Sequence, residues 1–141
     1  MLVRLLYASR AAQPMRKEQL AAILEASRVH NQREGITGVL CFGEGIFLQV
    51  LEGGRAAVTQ LYNRIAADAR HHGLELLAYD EIGERRFAGW SMGLVDMARL
   101  NPALLLKYSE RATLDPFAVS GAVSKAMFDE LVATDAIVCQ S

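Results

Sequence analysis

The sequence predicts an α+β fold: a ferredoxin-like βαββαββ sandwich with two helices on one sheet face, followed by a C-terminal helical extension. The β-rich runs 36–42 and 46–52 are separated only by Gly43-Glu44-Gly45. A connection that short ties them as an antiparallel hairpin, so a doubly wound parallel sheet cannot close around them. Each arm of the hairpin is flanked by a segment of helical periodicity, and each helix by another strand-like run. Right-handed crossovers then put both helices on the same face and bring strands one and three side by side at the centre, where a parallel pairing is expected.

Taken in order, residues 2–8 alternate as a strand with Val3, Leu5 and Tyr7 on one face. Pro14 ends the loop that follows. From Arg16 to about His30, Leu20, Ile23, Leu24 and Ser27 recur at helical spacing, and Gly35 marks the exit from the next connection. Beyond the hairpin, Gly53-Gly54 precede a second helix. Its Val58, Leu61, Tyr62, Ile65, Ala66 and Ala69 form the most regular apolar stripe in the chain. Residues 74–82 and 90–97 read as two further strands, joined by the charged Gly83-Glu84-Arg85-Arg86. These elements make a unit over 1–97.

Residues 98–141 make the extension, a cap, output or dimer element with helical patterning over 104–108 and 119–132 and with Pro102 and Pro116 near the helix starts. Its Leu104, Leu105, Leu106, Val119, Val123, Phe128 and Leu131 need a surface to bury against. The sheet face left free by the first two helices, or a second subunit in a homodimer, supplies it.

At 141 residues and 52% hydrophobic, the chain suits one compact core and one site. A net charge of -1, from 15 basic and 16 acidic residues, gives no electrostatic footprint for nucleic acid or an anionic membrane. Its apolar runs are of strand length, and MLVRLLYAS is too short and too soon interrupted for a signal peptide, so a cytoplasmic location is expected. Cys41 and Cys139 lie far apart and outside any C-x-x-C spacing, which leaves a disulfide framework or zinc site without support.

The chemistry starts at Gln49, a polar amide inside the apolar strand Ile46–Leu51. Left without partners it would cost roughly 1–3 kcal/mol, so something polar must face it, and a Tyr7 on the neighbouring strand can reach it. On geometry alone a mutually satisfied core pair is the more ordinary explanation of these two residues. Asn31, after the first helix, has the position of a cap or turn residue. Gln60, Arg64 and Asp68 lie beside the second helix's stripe, ahead of Arg70, His71 and His72. An i,i+4 Arg64–Asp68 pair is commonly just solvated, whereas a basic cluster can also hold phosphates. Trp90 and Met92 stand two apart, which on a strand means one face, the usual pattern of core filling.

In this order and spacing, Leu5-Leu6-Tyr7-Ala8-Ser9, the run 31–40 (NQREGITGVL), Phe47-Leu48-Gln49-Val50-Leu51-Glu52-Gly53, Arg70-His71-His72 and Phe87-Ala88-Gly89-Trp90-Ser91-Met92 together resemble the BLUF family of blue-light sensors that use flavin adenine dinucleotide. The resemblance spans 2–97 and implies a photoreceptor, not an enzyme, with non-covalent FAD, or FMN or riboflavin in its place in recombinant material, between the two helices. It implies that Asn31 bonds the pyrimidine edge of the ring, that Gln49 lies near N5 and O4, and that Tyr7 bonds Gln49. Ile23 and Ile65 would pack on the ring, with Arg64, Arg70 and His71 toward the phosphate end. Light would drive electron and proton transfer from Tyr7 to the flavin, and recombination would leave Gln49 rotated or tautomerised, with Trp90 and Met92 relaying the change to the last strand. No effector motif is recognisable after Met97, so output is expected to pass through contacts to a downstream signalling protein.

Two other readings compete. One is a ferredoxin-like ligand-binding or interaction module without photochemistry, in which Tyr7 and Gln49 only satisfy each other. The other, a small hydrolase using Cys41 with His71 or His72, has no nucleophile elbow, metal spacing or paired acids to support it.

Overall fold

The computed structural model describes residues 1–97 and 100–133, together with the backbone of 137–138. Its elements are β1 (Leu2–Ala11), α1 (Lys17–Glu34), β2 (Thr37–Gly43), β3 (Ile46–Gly54), α2 (Arg55–Ala66), β4 (His71–Ile82), β5 (Gly93–Val95), α3 (Pro102–Tyr108), α4 (Gly121–Val132) and β6 (Ile137–Val138). The sheet runs β4-β1-β3-β2-β5-β6. Strands β1 and β3 are central neighbours as expected, but they pair antiparallel, not parallel. The hairpin itself requires this: the crossover through α1 leaves β2 running with β1, and β3 reverses against β2.

The hairpin closes through Glu44 and Gly45 at φ of 53° and 76°. Positive φ at both central residues is the turn whose twist matches the flanking strands. Helix α1 runs to Glu34, past the expected end near His30, and Gly35 in the left-handed region terminates it. Asn31 is therefore inside the last turn. Its carbonyl accepts the capping N–H of Gly35, and its side chain is free of any capping duty.

Alternation along the strands divides the side chains between two cores. One packs Val3, Leu5, Tyr7, Phe47 and Leu51 against Leu24 of α1 and Val58 of α2. The other packs Leu6, Val39, Leu48 and Val50 against Phe87 and against Leu105, Met127, Phe128 and Leu131 of α3 and α4. The extension thus covers the sheet face that α1 and α2 leave free, and each of its large buried apolar side chains contributes on the order of 1.5–3 kcal/mol. Leu106 departs from the expected set: it is 53% exposed, on the outer side of α3.

Local signals hold this layer in place. Asn101 caps α3 by accepting from the Ala103 N–H at 3.0 Å, with Pro102 in the first turn. Ser120, not Pro116, starts α4, its Oγ accepting from the Val123 N–H at 3.2 Å. At Gly121 the helix meets β4 so closely that a Cβ would sit 2.3 Å from the Leu77 carbonyl oxygen. Cys139 lies outside the described residues.

The late strand expected over 90–97 contracts to Gly93–Val95, paired parallel with β2. The carbonyls of Ser91 and Met92 are taken by side chains of α1, Asn31 Nδ2 at 2.7 Å and Arg28 Nε at 3.1 Å, instead of by a ladder. Trp90 and Met92 consequently fall on opposite faces of the sheet: Trp90 packs with Phe87 and Phe128 on the α4 side, Met92 with the α1/α2 core. No helix among the described residues is long and apolar enough to cross a membrane.

Candidate functional site

Helices α1 and α2 stand apart over the sheet, leaving a cleft of about 210 Å³. The apolar stripe of α2 is accordingly under-buried. Only Val58 is fully enclosed, while Leu61, Tyr62 and Ile65 remain partly open. Ile65 and Leu61 face Ile23 across the gap, with Ser27, His30 and Asn31 of α1 continuing its wall. A slot between two apolar helix faces, closed on one side by polar groups, suits a flat ligand with one hydrogen-bonding edge.

The floor is the β1–β3 pairing. Tyr7 and Gln49 are register partners, so both side chains project from the same face. The buried Tyr7 hydroxyl donates to Gln49 Oε1, and Gln49 Nε2 donates to Met92 Sδ at 3.1 Å. A thioether only accepts, so this chain of contacts fixes which end of the amide faces which neighbour. Burial, reinforced by Tyr62 and Asp68 nearby, raises the Tyr7 phenol well above its ordinary range. Tyr7 therefore stays a protonated donor across the neutral and mildly alkaline range. The Tyr62 ring meets it edge-on at 5.8 Å.

Asn31 is 1% exposed. Its Nδ2 is occupied by the Ser91 carbonyl, but its Oδ1 has no partner among the described residues, and neither has Ser91 Oγ. A buried amide oxygen left unsatisfied costs about 1–3 kcal/mol, and at the wall of the cleft this one is open to accept from a donor.

Charged groups gather at the mouth. Because α2 ends at Ala66, Asp68 lies beyond the helix and binds Arg70 instead of Arg64: Arg70 Nε reaches both carboxylate oxygens, at 3.1 and 3.0 Å, and Nη2 one of them at 2.6 Å. These bonds pull the Asp68 carboxyl down to about 2. His71 Nδ1 is 2.8 Å from Ser9 Oγ, and its ring lies 4.6 Å from that of Phe47. Burial lowers its pKa, Arg70 adds to that, and Asp68 opposes it, so the ring is neutral near pH 7. Arg64 lies against the His30 ring at 3.4 Å, and burial followed by that guanidinium lowers the His30 pKa.

The cleft thus brings together Tyr7, Ile23, Asn31, Gln49, Arg64, Ile65, Arg70 and His71. Met92 joins them through Gln49. Trp90 does not, its ring being stacked 6.1 Å from Phe87 on the far side. The sequence reading missed Arg28, which is 8% exposed and fixes the Met92 carbonyl. The signal was present: Arg28 follows Leu24 by four residues, a cation in the buried stripe of α1. Among the described residues no group of three or more His, Cys, Asp or Glu side chains is arranged to hold a metal ion.

The fold and the cleft define a small α+β domain with an open slot between two helices, floored by a polar network on its sheet. The family model described as sensors of blue-light using FAD matches residues 2–93, and the chain belongs to this family, BLUF. It is 39% identical over 84 residues to the photoactivated adenylate cyclase subunit alpha of Euglena gracilis, covering 60% of this chain and 8% of that one. With the beta subunit of the same organism it shares 36% over 92 residues, 64% of this chain and 11% of that one. The chain therefore spans about a tenth of the length of these curated relatives. Among solved structures, BlsA in its photo-activated state superposes with a TM-score of 0.85 at 31% identity, covering 96% of this chain and 98% of that one. The dark-state structure of BlrB, a BLUF protein, does so with a TM-score of 0.79 at 36% identity, covering 94% and 95%.

Proposed function

We propose that this chain is a non-enzymatic photoreceptor which holds FAD non-covalently between α1 and α2 and reports light to a partner through a change in the Tyr7–Gln49–Met92 hydrogen bonds. The observation that carries the reading is that chain of three side chains on the floor of a cleft whose wall offers an unsatisfied Asn31 Oδ1. An imide N–H on the pyrimidine edge of a flavin is the donor that this oxygen lacks. Ile23 and Ile65 would cover the ring faces. Arg64 and His71 at the mouth suit the phosphate end, with Arg70 contributing what its pairing to Asp68 leaves over.

Bound there, the flavin supplies blue-light absorption and an excited state that is a strong oxidant. Tyr7 would be the electron and proton donor: its phenol, kept neutral by burial, would give an electron to the excited flavin and release its proton along the hydrogen bond to Gln49 Oε1, and recombination would return both to Tyr7 so that only the hydrogen-bond arrangement stays changed. Gln49 is the switch. Its oxygen and nitrogen ends have nearly the same shape and opposite hydrogen-bonding character, so inverting it or changing its tautomer rewires Tyr7 and Met92 together. Inversion sets Oε1 against a sulfur with no hydrogen to give, which biases the network back to its starting arrangement.

Residues 1–97 act in this reading as the flavin-binding unit and 98–141 as the output layer, changing their packing on the sheet. The curated relatives carry light and adenylate cyclase together in their names, which supports signalling as the role; the effector of this chain is a partner still to be identified. Absorption spectra before and after blue light test the proposal. A yellow preparation with a small reversible red shift is expected, with FAD released on denaturation. A colourless protein that cannot be reconstituted with flavin, or a yellow one without the shift, overturns it.

A further inference from the structure

Glu52 is the one fully buried carboxylate among the described residues, at 0% exposure, and it lies outside the cleft. Three residues beyond Gln49 on β3, it projects to the opposite face of the sheet. Its Oε2 accepts from Arg4 Nε at 2.8 Å and from the Arg86 N–H at 3.1 Å, and its Oε1 accepts from the Phe87 N–H at 2.7 Å. A buried charge is tolerated only when it is paired and hydrogen-bonded, and here two of its partners are consecutive backbone amides of one loop. That loop continues through Trp90, whose carbonyl accepts from the Gly38 N–H at 2.9 Å, to Met92. It also carries the contacts to α4: the Arg86 side chain pairs with Asp129, and the Phe87 ring meets Phe128 edge-on at 6.3 Å.

We propose that Glu52 is a positioning residue of the light switch: by holding the Arg86 and Phe87 amides it sets where Met92 Sδ meets Gln49 Nε2, and so how strongly the dark arrangement is favoured. The inference rests on the photoreceptor reading for its consequence and on the loop geometry alone for its cause. Met92 opposes the inverted amide because its sulfur cannot donate. A loop released from Glu52 holds that sulfur less firmly, so the inverted state should outlive its wild-type counterpart.

Glu52→Gln is the informative variant because of how the acceptors are divided. The oxygen it retains belongs toward Arg4 and the Arg86 N–H, which leaves the new amide nitrogen against the Phe87 N–H, donor facing donor. Hydrogen exchange on the full chain in the dark should show the Phe87 amide exchanging roughly tenfold faster or more, with α1 and α2 as protected as before. Dark recovery of the red-shifted state should slow by roughly three- to tenfold. In a Met92→Leu background, Glu52→Gln should no longer change the recovery rate, because the partner through which it acts is gone.

Glu52→Asp keeps the charge opposite Arg4 but falls a methylene short of Phe87. It should behave the same way, and it serves if the Gln variant does not fold. Unchanged exchange at 86–92 overturns the inference whether or not the protein is photoactive. A recovery effect of equal size with and without Met92 does so as well, since it would mean that Glu52 acts by general stability alone. If wild type shows no spectral shift while the exchange result holds, the photoreceptor reading fails and the anchoring of the loop stands.

Discussion

Tyr7→Phe isolates the donor on which the proposed switch depends. The substitution deletes one oxygen and keeps the ring, so the edge-on contact with Tyr62 at 5.8 Å and the packing among Val3, Leu5 and Phe47 survive. What is lost is the hydroxyl bond to Gln49 Oε1, and a buried acceptor deprived of its donor costs about 1–3 kcal/mol. For a chain of this size that corresponds to a fall in Tm of roughly 3–10 °C, with the fold intact. Flavin should stay bound, because Tyr7 contributes ring surface to the cleft and that surface is retained. The red-shifted state should be absent, since neither an electron nor a proton can leave a phenyl ring at this position. The assay is the difference spectrum of purified protein before and after blue light, with flavin content measured on the same sample. A shift of normal size in Tyr7→Phe refutes the assignment of Tyr7 as donor, whatever its stability.

Gln49→Leu should likewise give a yellow protein without the shift, because it removes the invertible amide without opening a large cavity; a persistent shift rules out glutamine switching. Asn31→Ala should lose most of its flavin on purification, whereas Asn101→Ala, at a true helix cap, should keep its flavin and lose only about 1 kcal/mol of stability; equal occupancy in the two counts against the site. Asp68, with its folded pKa depressed from 3.8 to about 2, contributes stability that is present above pH 3.8 and is lost as pH falls toward 2, so acid titration of the fold should flatten over that interval in Asp68→Asn, and an unchanged profile contradicts the pairing with Arg70. In light, amides of α4 and of residues 86–95 should change their protection; identical protection in both states, with the spectral shift intact, refutes output through this layer.

The fold was largely legible because its signals are local. The short glycine-flanked hairpin, the stripe of α2 and the alternation of β1 each determine an element, and the hairpin also excludes the parallel sheet. The direction of β1 against β3 was read wrongly, although it follows from that same hairpin once α1 is treated as a right-handed crossover. Residues 90–92 misled for a different reason. Their composition is strand-like, but the carbonyls of Ser91 and Met92 go to Asn31 and Arg28, partners some 60 residues away that no local pattern announces. Asn31 shows the same limit. Its place near a helix end fits a cap, and only the tertiary structure shows that Gly35 ends the helix and leaves the amide side chain facing the cleft with one unsatisfied atom. The cleft residues themselves were found by family resemblance, because the periodicity of α2 predicts a buried stripe and cannot show that the surface facing it is incomplete.

In the proposed switch, the separation of Trp90 and Met92 across the sheet gives the network a route from one core to the other. Gln49 lies on the α1/α2 side, while every large side chain that touches α4 lies on the other, and side chains in a packed sheet do not exchange faces. The loop before β5 touches both, with Met92 against Gln49 and with Phe87 and Trp90 against the α3/α4 core. Along this route, a change at Gln49 biases α4 by as much as it alters the position of that loop. Two of the contacts through which the loop reaches α4 are modest: an exposed Arg86–Asp129 pair, worth about 1 kcal/mol or less, and an edge-on aromatic contact of about 0.5–1.5 kcal/mol. Together they amount to a bias of about 1–2 kcal/mol, enough to change the population of a docked α4 by roughly 5- to 30-fold and too little to expel it from the sheet. Light should therefore leave the helical layer folded in place and alter how often it opens, so that a partner reads a population and not a displaced helix.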